Sequence, residues 1–497
     1  MNILDAMRDP KVFGLHFRAH SWSVWKVFLS VLFALPLSDE QLQIYRQCTG
    51  RSEVPSVVSE GWLVCGRRSG KSFVLAVVAV FLACFKDWRP YLGPGDRCTI
   101  MIVAADRRQA RVILRYCRGL LKAVPMLAGV IEAERSESID LRNNVTIEVH
   151  TASFRSTRGY AICAALLDEL AFWHGEESSD PDSEVIAAIR PAMATIPGAI
   201  MLCASSPYAR RGALWDAHRR HFGKNGDPIL VWQADTRTMN PTVPQRVIDE
   251  AMERDPAGAA AEYHAQFRTD VESFVSGEAV EACVSLGVRE RAPLPGIHYS
   301  GFVDPSGGSA DSMTLAIGQE QNGVAILDAV REVWPPFSPE DVVSEFATLL
   351  KSYRISKITG DRYAGEWPRE RFSEHGVKYE PAVKPKSDLY RDLLPALNSR
   401  KVDLLDDARL VAQLVGLERR TARGGRDSID HAPGAHDDIA NALAGLVAEL
   451  AINASRYDST LSWVGGPGID EELPPGVLAP PSLWQHPMFH LRGSYRR

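Results

Sequence analysis

Val64-Cys65-Gly66-Arg67-Arg68-Ser69-Gly70-Lys71-Ser72 decides how the first half of this chain is read. Apolar Trp62-Leu63-Val64 precedes it as a strand, and the run Phe73 to Phe85 follows it as a helix. A nucleoside triphosphate held between strand and helix needs backbone N–H groups at the helix N-terminus and a glycine. It also needs a lysine for the β- and γ-phosphates and a hydroxyl for Mg²⁺. Gly70, Lys71 and Ser72 supply the last three, and Gly66, Arg67, Arg68 and Ser69 form the loop. The usual pattern begins with glycine where this chain has Cys65, with Gly66 one step later. A Gly-Lys-Ser alone is often chance; strand before and helix after make it a phosphate loop.

Composition bounds the rest. A chain of 497 residues accommodates two or three domains, each with its own core. A net charge of −6 excludes a histone-like DNA binder but leaves room for local basic patches. Eight scattered cysteines, with no C-x-x-C pair and no zinc spacing, point to a reducing compartment and no structural metal. The start Met-Asn-Ile-Leu-Asp lacks the basic-then-apolar pattern of a signal peptide. The apolar runs Val27–Leu35 and Phe73–Phe85 fall short of the ~20 residues of a bilayer span, so no membrane is expected.

Residues 1–35 are amphipathic and Trp-rich and read as an N-terminal helical segment. Over 36–270, strand-like runs alternate with helical stretches: Trp62–Val64, Thr99–Ala104, Val145–His150, Ala161–Leu167, Ala199–Ala204 and Ile229–Ala234. That alternation predicts an α/β domain with a largely parallel sheet. Segment 271–298, with Ala292-Pro293-Leu294-Pro295-Gly296, reads as a linker. A second domain, 299–453, opens with runs His298–Asp304, Ser312–Gly318 and Val324–Asp328, whose short connections predict antiparallel neighbours. A helix (Pro339–Tyr353), two strands (Ile355–Asp361 and Val377–Pro381) and further helices follow. The tail, 454–497, carries Gly-Gly-Pro-Gly and Pro-Pro pairs and reads as flexible.

Two acidic constellations carry chemistry. Ile162 to Leu167 is an apolar strand ending in Asp168-Glu169. Asp168 suits Mg²⁺ and Glu169 suits an attacking water. Taken alone, the pair reads equally as a buried strand running into a solvated turn; behind a phosphate loop it becomes an ATPase site. Ala204-Ser205-Ser206-Pro207 ends the next strand, where small polar groups can sense a γ-phosphate. Arg67 or Arg158 could neutralise transition-state charge, although a single arginine is more often a surface residue.

In the second domain, Asp304 ends a strand before Pro305-Ser306-Gly307-Gly308, Asp361 ends another, and His436-Asp437-Asp438 opens the last helix. Acids on two strands and one helix are what a two-metal phosphodiester hydrolase needs, since two hard cations roughly 4 Å apart demand several carboxylates. Each acid alone reads more simply as a strand end or a helix N-terminus favoured by the dipole. Lys384, Lys386 and Arg391 could meet a DNA backbone or form a solvated basic loop.

In that order, these motifs resemble the large terminase subunit of tailed bacteriophages over residues 36–453. The resemblance rests on Gly66 to Ser72, Leu166-Leu167-Asp168-Glu169, Ala204-Ser205-Ser206-Pro207 and Tyr263 to Phe267, then Val303-Asp304-Pro305, Thr359-Gly360-Asp361 and His436-Asp437-Asp438. It implies an ASCE-type P-loop ATPase domain followed by an RNase H-like nuclease domain. It also implies that Arg67 is the phosphate-loop arginine, that Ser205-Ser206-Pro207 is a coupling motif, and that Arg158 is a finger reaching a neighbouring subunit. Gln41 is the candidate for the glutamine that contacts adenine. The helix motif of the family often has an acid where this chain has Asn441, which leaves the shares of Asp437 and Asp438 open. Residues 1–35 and the tail match nothing in it.

The reading is thus an ATP-driven double-stranded DNA packaging motor with a metal-dependent endonuclease that cuts concatemeric genomes. ATP and Mg²⁺ would serve the ATPase at Ser72 and Asp168, and two Mg²⁺ or Mn²⁺ the nuclease at Asp304, Asp361, Asp437 and Asp438. DNA would be gripped by basic surfaces such as Arg210-Arg211 to Arg219-Arg220. The expected partners are double-stranded DNA, a small terminase subunit, the portal of a procapsid and further copies in a ring. The expected place is the host cytoplasm, docked transiently on the procapsid and absent from the mature virion. Two rivals are a repair or helicase-type ATPase fused to a nuclease, and a non-catalytic RNase H-like module that binds DNA or portal. The first would carry a second motor domain, and the second would have lost its acids.

Overall fold

The phosphate-loop strand lies inside an eight-stranded sheet in a computed structural model that describes residues 1–152, 159–175, 177–178, 180–309, 311–361, 367–421 and 427–461, with side chains as far as 452. Arg158 and most of the tail 454–497 lie outside the described residues. The strands are β1 (Glu60–Cys65), β2 (Cys98–Ala104), β3 (Ile131–Glu134), β4 (Ser138–Leu141), β5 (Val145–Thr151), β6 (Ala161–Asp168), β7 (Ile200–Ser205) and β8 (Ile229–Ala234). Their order is β3-β4-β5-β2-β6-β7-β1-β8. From β5 to β8 all neighbours are parallel. Such strands are covered on both faces, which explains why β2 is buried throughout and reads as an unbroken apolar run. Only β3 and β4 are antiparallel, forming one edge. Sequence reading misses both, since each is four residues long with alternate positions only partly buried.

The helix Lys71–Phe85 is apolar on all sides and buried from Val74 to Ala83. A helix without a polar face must be covered all round. The sheet covers one side and the helix Arg107–Ala123 another. The N-terminal helices Ile3–Arg8 and Ser23–Leu32 bring further cover, with Phe13 against Phe85 and both Phe17 and Trp22 against Phe73. Residues 1–35 therefore share the core of the first sheet.

Segment 271–298 is paired into the second half rather than loose. It supplies β9 (Val271–Ser273) and β10 (Val284–Ser285), and its Pro-rich stretch 291–294 has no regular structure. The second half continues with β11 (Ser300–Asp304), β12 (Met313–Gln321), β13 (Val324–Val333), β14 (Lys357–Gly360), β15 (Lys378–Pro381), β16 (Val402–Leu405), β17 (Leu417–Thr421) and β18 (Asp427–His431). The second sheet runs β10-β16-β13-β12-β11-β14-β15. As the short connections predict, β11, β12 and β13 are antiparallel, and β14 then joins β11 in parallel. A small sheet, β18-β17-β9, ties the former linker to the hairpin before the last helix. Among the described residues no helix is long and apolar enough to cross a membrane.

The last helix, Asp438–Leu461, is set against β11 by a glycine. A Cβ on Gly445 would overlap the Phe302 ring. This close approach brings Asn441, one turn earlier, to the end of β11, where Asp304 stands. Gly445→Val is expected to push the helix off the sheet. It should destabilise the protein by about 1–3 kcal/mol, the usual range for overpacking a tight contact, as checked by chemical denaturation.

Candidate active sites

Parallel strands open their C-terminal ends on one side of the sheet, and β1, β6 and β7 each deliver part of the first site there. Gly66 lies where any Cβ would strike Thr236 and the Tyr263 carbonyl, so only glycine fits after Cys65. Thr236 Oγ1 donates to the Arg67 carbonyl at 2.8 Å. Arg68 and Gly70 take left-handed backbone, φ 66° and 100°. Lys71 is buried, and its Nζ donates to the Cys65 and Gly66 carbonyls at 3.0 and 3.2 Å and to Ser206 Oγ at 3.1 Å. Glu169 Oε1 lies 3.4 Å from the same ammonium.

Asp168 and Glu169 are neighbours with different surroundings. Ser72 Oγ donates to Asp168 Oδ2 at 3.1 Å, while Asp168 Oδ1 is buried without a hydrogen-bond partner. Burial, reinforced by the Glu169 charge, pushes the Asp168 carboxyl up to about 7. A carboxylate so placed fits a cation beside the Ser72 hydroxyl. Glu169 has left-handed backbone, φ 52°, and turns its Oε2 to the Ser205 hydroxyl at 3.2 Å and the Ser206 N–H at 3.1 Å. The serines at the end of β7 thus touch both the lysine and the glutamate. The buried Ser69 hydroxyl has no hydrogen-bond partner either, which suits an oxyanion entering the loop.

The second site is a cavity of about 520 Å³ whose lining includes Asp304, Asp361, Asp437, Asp438 and Asn441. Asn441 Nδ2 donates to Asp304 Oδ2 at 2.8 Å and to Asp361 Oδ2 at 3.3 Å, so the amide spans the two strand-end acids. Burial pushes the Asp304 carboxyl up to about 8, its Asn441 bond opposing and the other three aspartates adding to the shift. Burial and then the Asp437 charge raise Asp438 to about 6. Asp438 Oδ2 and Asn441 Oδ1 are buried without hydrogen-bond partners. A buried group of acids with idle oxygens fits hard cations, which these oxygens would ligate.

The two helix aspartates differ. Asp437 is committed to protein partners: Lys386 Nζ donates to Oδ1 at 2.9 Å and lies 2.8 Å from Oδ2, and the buried Tyr390 hydroxyl donates to Oδ2 at 2.8 Å. Burial disfavours the Lys386 charge, yet Asp437 and Asp430 hold its pKa above the ordinary lysine value. Among the described residues Asp438 has no such lysine partner; His436 Nδ1 lies 4.0 Å from its Oδ2.

Residues 63–181, which carry β1, the phosphate loop and the Asp168-Glu169 strand end, match the family model described as terminase large subunit, T4likevirus-type, N-terminal. Over that stretch the chain is similar to the terminase large subunits. No curated protein matches it. Among solved structures it is similar to the large terminase of bacteriophage HK97, at 17% identity over 79% of this chain and 91% of that one, with a TM-score of 0.36. A large terminase from a thermophilic bacteriophage gives 13% identity over 86% and 98%, with a TM-score of 0.36. The large terminase nuclease of thermophilic phage G20c gives 19% over 35% and 97%, with a TM-score of 0.32. Likenesses this distant assign no residues.

The other residues singled out from the sequence have defined surroundings. Gln41 caps the helix Asp39–Thr49: its Oε1 accepts from the Ser38 N–H at 2.9 Å, and Ser38 Oγ accepts in return from the Gln41 N–H. Gln41 thereby closes a capping box at the start of this helix. The exposed Arg67 guanidinium pairs with Glu262 at 3.0 Å. Arg158 lies outside the described residues. The basic loop is largely neutralised, since Lys384 pairs with Asp392, Lys386 with Asp430 and Asp437, and Arg391 with Asp388. In the other basic segment, Arg211 reaches buried Glu418, and Arg219 and Arg220 share Asp216. Asp311, in the turn after Asp304, lines the acidic cavity and was missed. Its signal is an acid closing the Ser- and Gly-rich stretch after the first strand.

Asp430, His431 and Asp437 offer ligand atoms within 4.8 Å of one another, and Lys386 is the cation among them. Lys386→Met is expected to melt lower in metal-free buffer, because it leaves Asp437 buried and unbalanced. Added Mn²⁺ should recover most of the loss by taking the ammonium's place. Thermal melts with and without Mn²⁺ check this, and no recovery would mean that Lys386 is not in a cation position.

Proposed function

We propose that this terminase large subunit is an ATP-driven double-stranded DNA translocase whose second half is a Mg²⁺- or Mn²⁺-dependent endonuclease. The observation that carries the ATPase reading is the contact set of Lys71, which joins the phosphate loop to Glu169 and Ser206. ATP with Mg²⁺ supplies the phosphoryl group and its charge. Lys71 would hold the phosphates, and Ser72 and Asp168 would hold the cation. Glu169, aimed by the Ser205 hydroxyl and the Ser206 N–H, orients a water and receives its proton. Because Ser206 touches both Lys71 and Glu169, a change at the γ-phosphate is felt at the end of β7.

In the second half, Asp304, Asp361 and Asp438 are the proposed cation ligands, with Asn441 orienting the first two and Asp437 positioned by Lys386 and Tyr390. Two hard cations would activate a water and steady the leaving 3′ oxygen of a phosphodiester. Domains at 36–270 and 299–453 are the proposed units of these activities. Arg67 and Arg158 are proposed to stabilise transition-state charge, Arg158 in a neighbouring copy of a ring. A small terminase subunit, the portal of a procapsid and the host cytoplasm complete the proposal.

Supercoiled plasmid incubated with the protein, ATP and Mg²⁺ or Mn²⁺ tests both activities at once, by nicking and by phosphate release. Lys71→Ala should lower ATP turnover by more than about a hundredfold, the scale of losing one preorganised charge contact, and leave nicking unchanged. Asp304→Ala and Asp361→Ala should do the reverse. Glu169→Gln should bind ATP and fail to turn it over, because an amide cannot take a proton. Loss of both activities in a folded Lys71→Ala protein would overturn the two-site reading.

A further inference from the structure

Trp25 is buried in the N-terminal segment, upstream of the stretch matched by the terminase family model, and its indole Nε1 donates to the Ser69 carbonyl at 2.8 Å. Ser69 is inside the phosphate loop. A phosphate cradle needs its peptide N–H groups turned toward the ligand, so its carbonyls must point away. In a planar trans peptide the carbonyl of one residue and the N–H of the next face opposite ways. Holding the Ser69 carbonyl outward therefore turns the Gly70 N–H inward.

Trp22 completes the brace. Its ring atoms lie 3.5 and 3.7 Å from where a Cβ on Gly70 would sit, and Trp25 Nε1 lies 3.5 Å from the same point. The segment is itself anchored: Trp22 packs on Phe17 and on Phe73 of the phosphate-loop helix, and Trp25 meets Phe28, which meets Trp232 of β8. The second, independent observation is Ser69 itself, which is 2% exposed and whose buried hydroxyl has no hydrogen-bond partner among the described residues.

From this geometry we propose that Trp25 is a positioning residue for nucleotide binding, presetting the Gly70 N–H through its hydrogen bond to the Ser69 carbonyl. The inference rests on the ATPase reading above. Without the indole N–H, the buried carbonyl loses its donor and the Ser69–Gly70 peptide is free to rotate out of the cradle. Nucleotide binding then has to fix that peptide first, which weakens affinity more than turnover.

The test uses the full chain. Trp25→Phe keeps an aromatic ring and removes the donor; benzothienylalanine introduced at position 25 keeps the indole shape with sulfur in place of N–H. Both should raise the KM for ATP and the Kd for a fluorescent ATP analogue by about tenfold, with kcat changed by less than about twofold, as expected for losing one buried hydrogen bond. A merely structural tryptophan would lower the melting temperature and leave KM alone, and that result overturns the proposal. If Trp25→Phe fails to fold, the isosteric variant decides on the same criteria. Wild-type protein that binds no ATP analogue would overturn the ATPase reading itself, whereas wild-type binding matched by both variants would overturn this inference alone.

Discussion

One buried ammonium organises the first half of the molecule. Lys71 belongs to the helix that follows β1, and its donors are spent on carbonyls at the end of β1, on a serine after β7 and on the glutamate after β6. Removing an ammonium from water is costly unless it is hydrogen-bonded and paired. Its partners come from three strand ends, so the charge is satisfied only when β6, β7 and β1 are adjacent and in register. That is the observed order of the sheet. A site poised for phosphate and a sheet with one strand order are, in this sense, the same requirement.

The second half presents the opposite electrostatic problem. Five aspartates line one cavity, and burial holds Asp304 and Asp438 toward their protonated forms. The protein relieves part of this itself, placing the Asn441 amide across Asp304 and Asp361 and the Lys386 ammonium against Asp437. What remains uncompensated is concentrated at Asp304 and Asp438. Cations would stabilise what the protein leaves strained there.

Buried Glu418, on β17, ties the halves together. It accepts from Tyr208 and Arg211, just beyond the serine motif, and from Arg420 on its own strand. Tyr208 is two residues from Ser206, and Arg420 also donates to the His431 carbonyl beside the acidic cavity. The two sites are therefore joined through a short, fully bonded polar contact.

The sequence alone disclosed the elements that depend on near neighbours. Strand–loop–helix around Gly66 to Ser72, the apolar strand ending in Asp168-Glu169, the antiparallel opening of the second half and the acids at 304, 361 and 437–438 are legible because periodicity and strand-end position are local properties. The short strands β3, β4 and β16 were not, since four residues carry too little pattern. Tertiary structure alone decided how each side chain is used. It gave Gln41 to a helix cap, neutralised Asp437 with Lys386 from 51 residues upstream, and brought Trp25 to a carbonyl 44 residues away. Such roles depend on which remote groups share a buried volume, and only the packed chain specifies that.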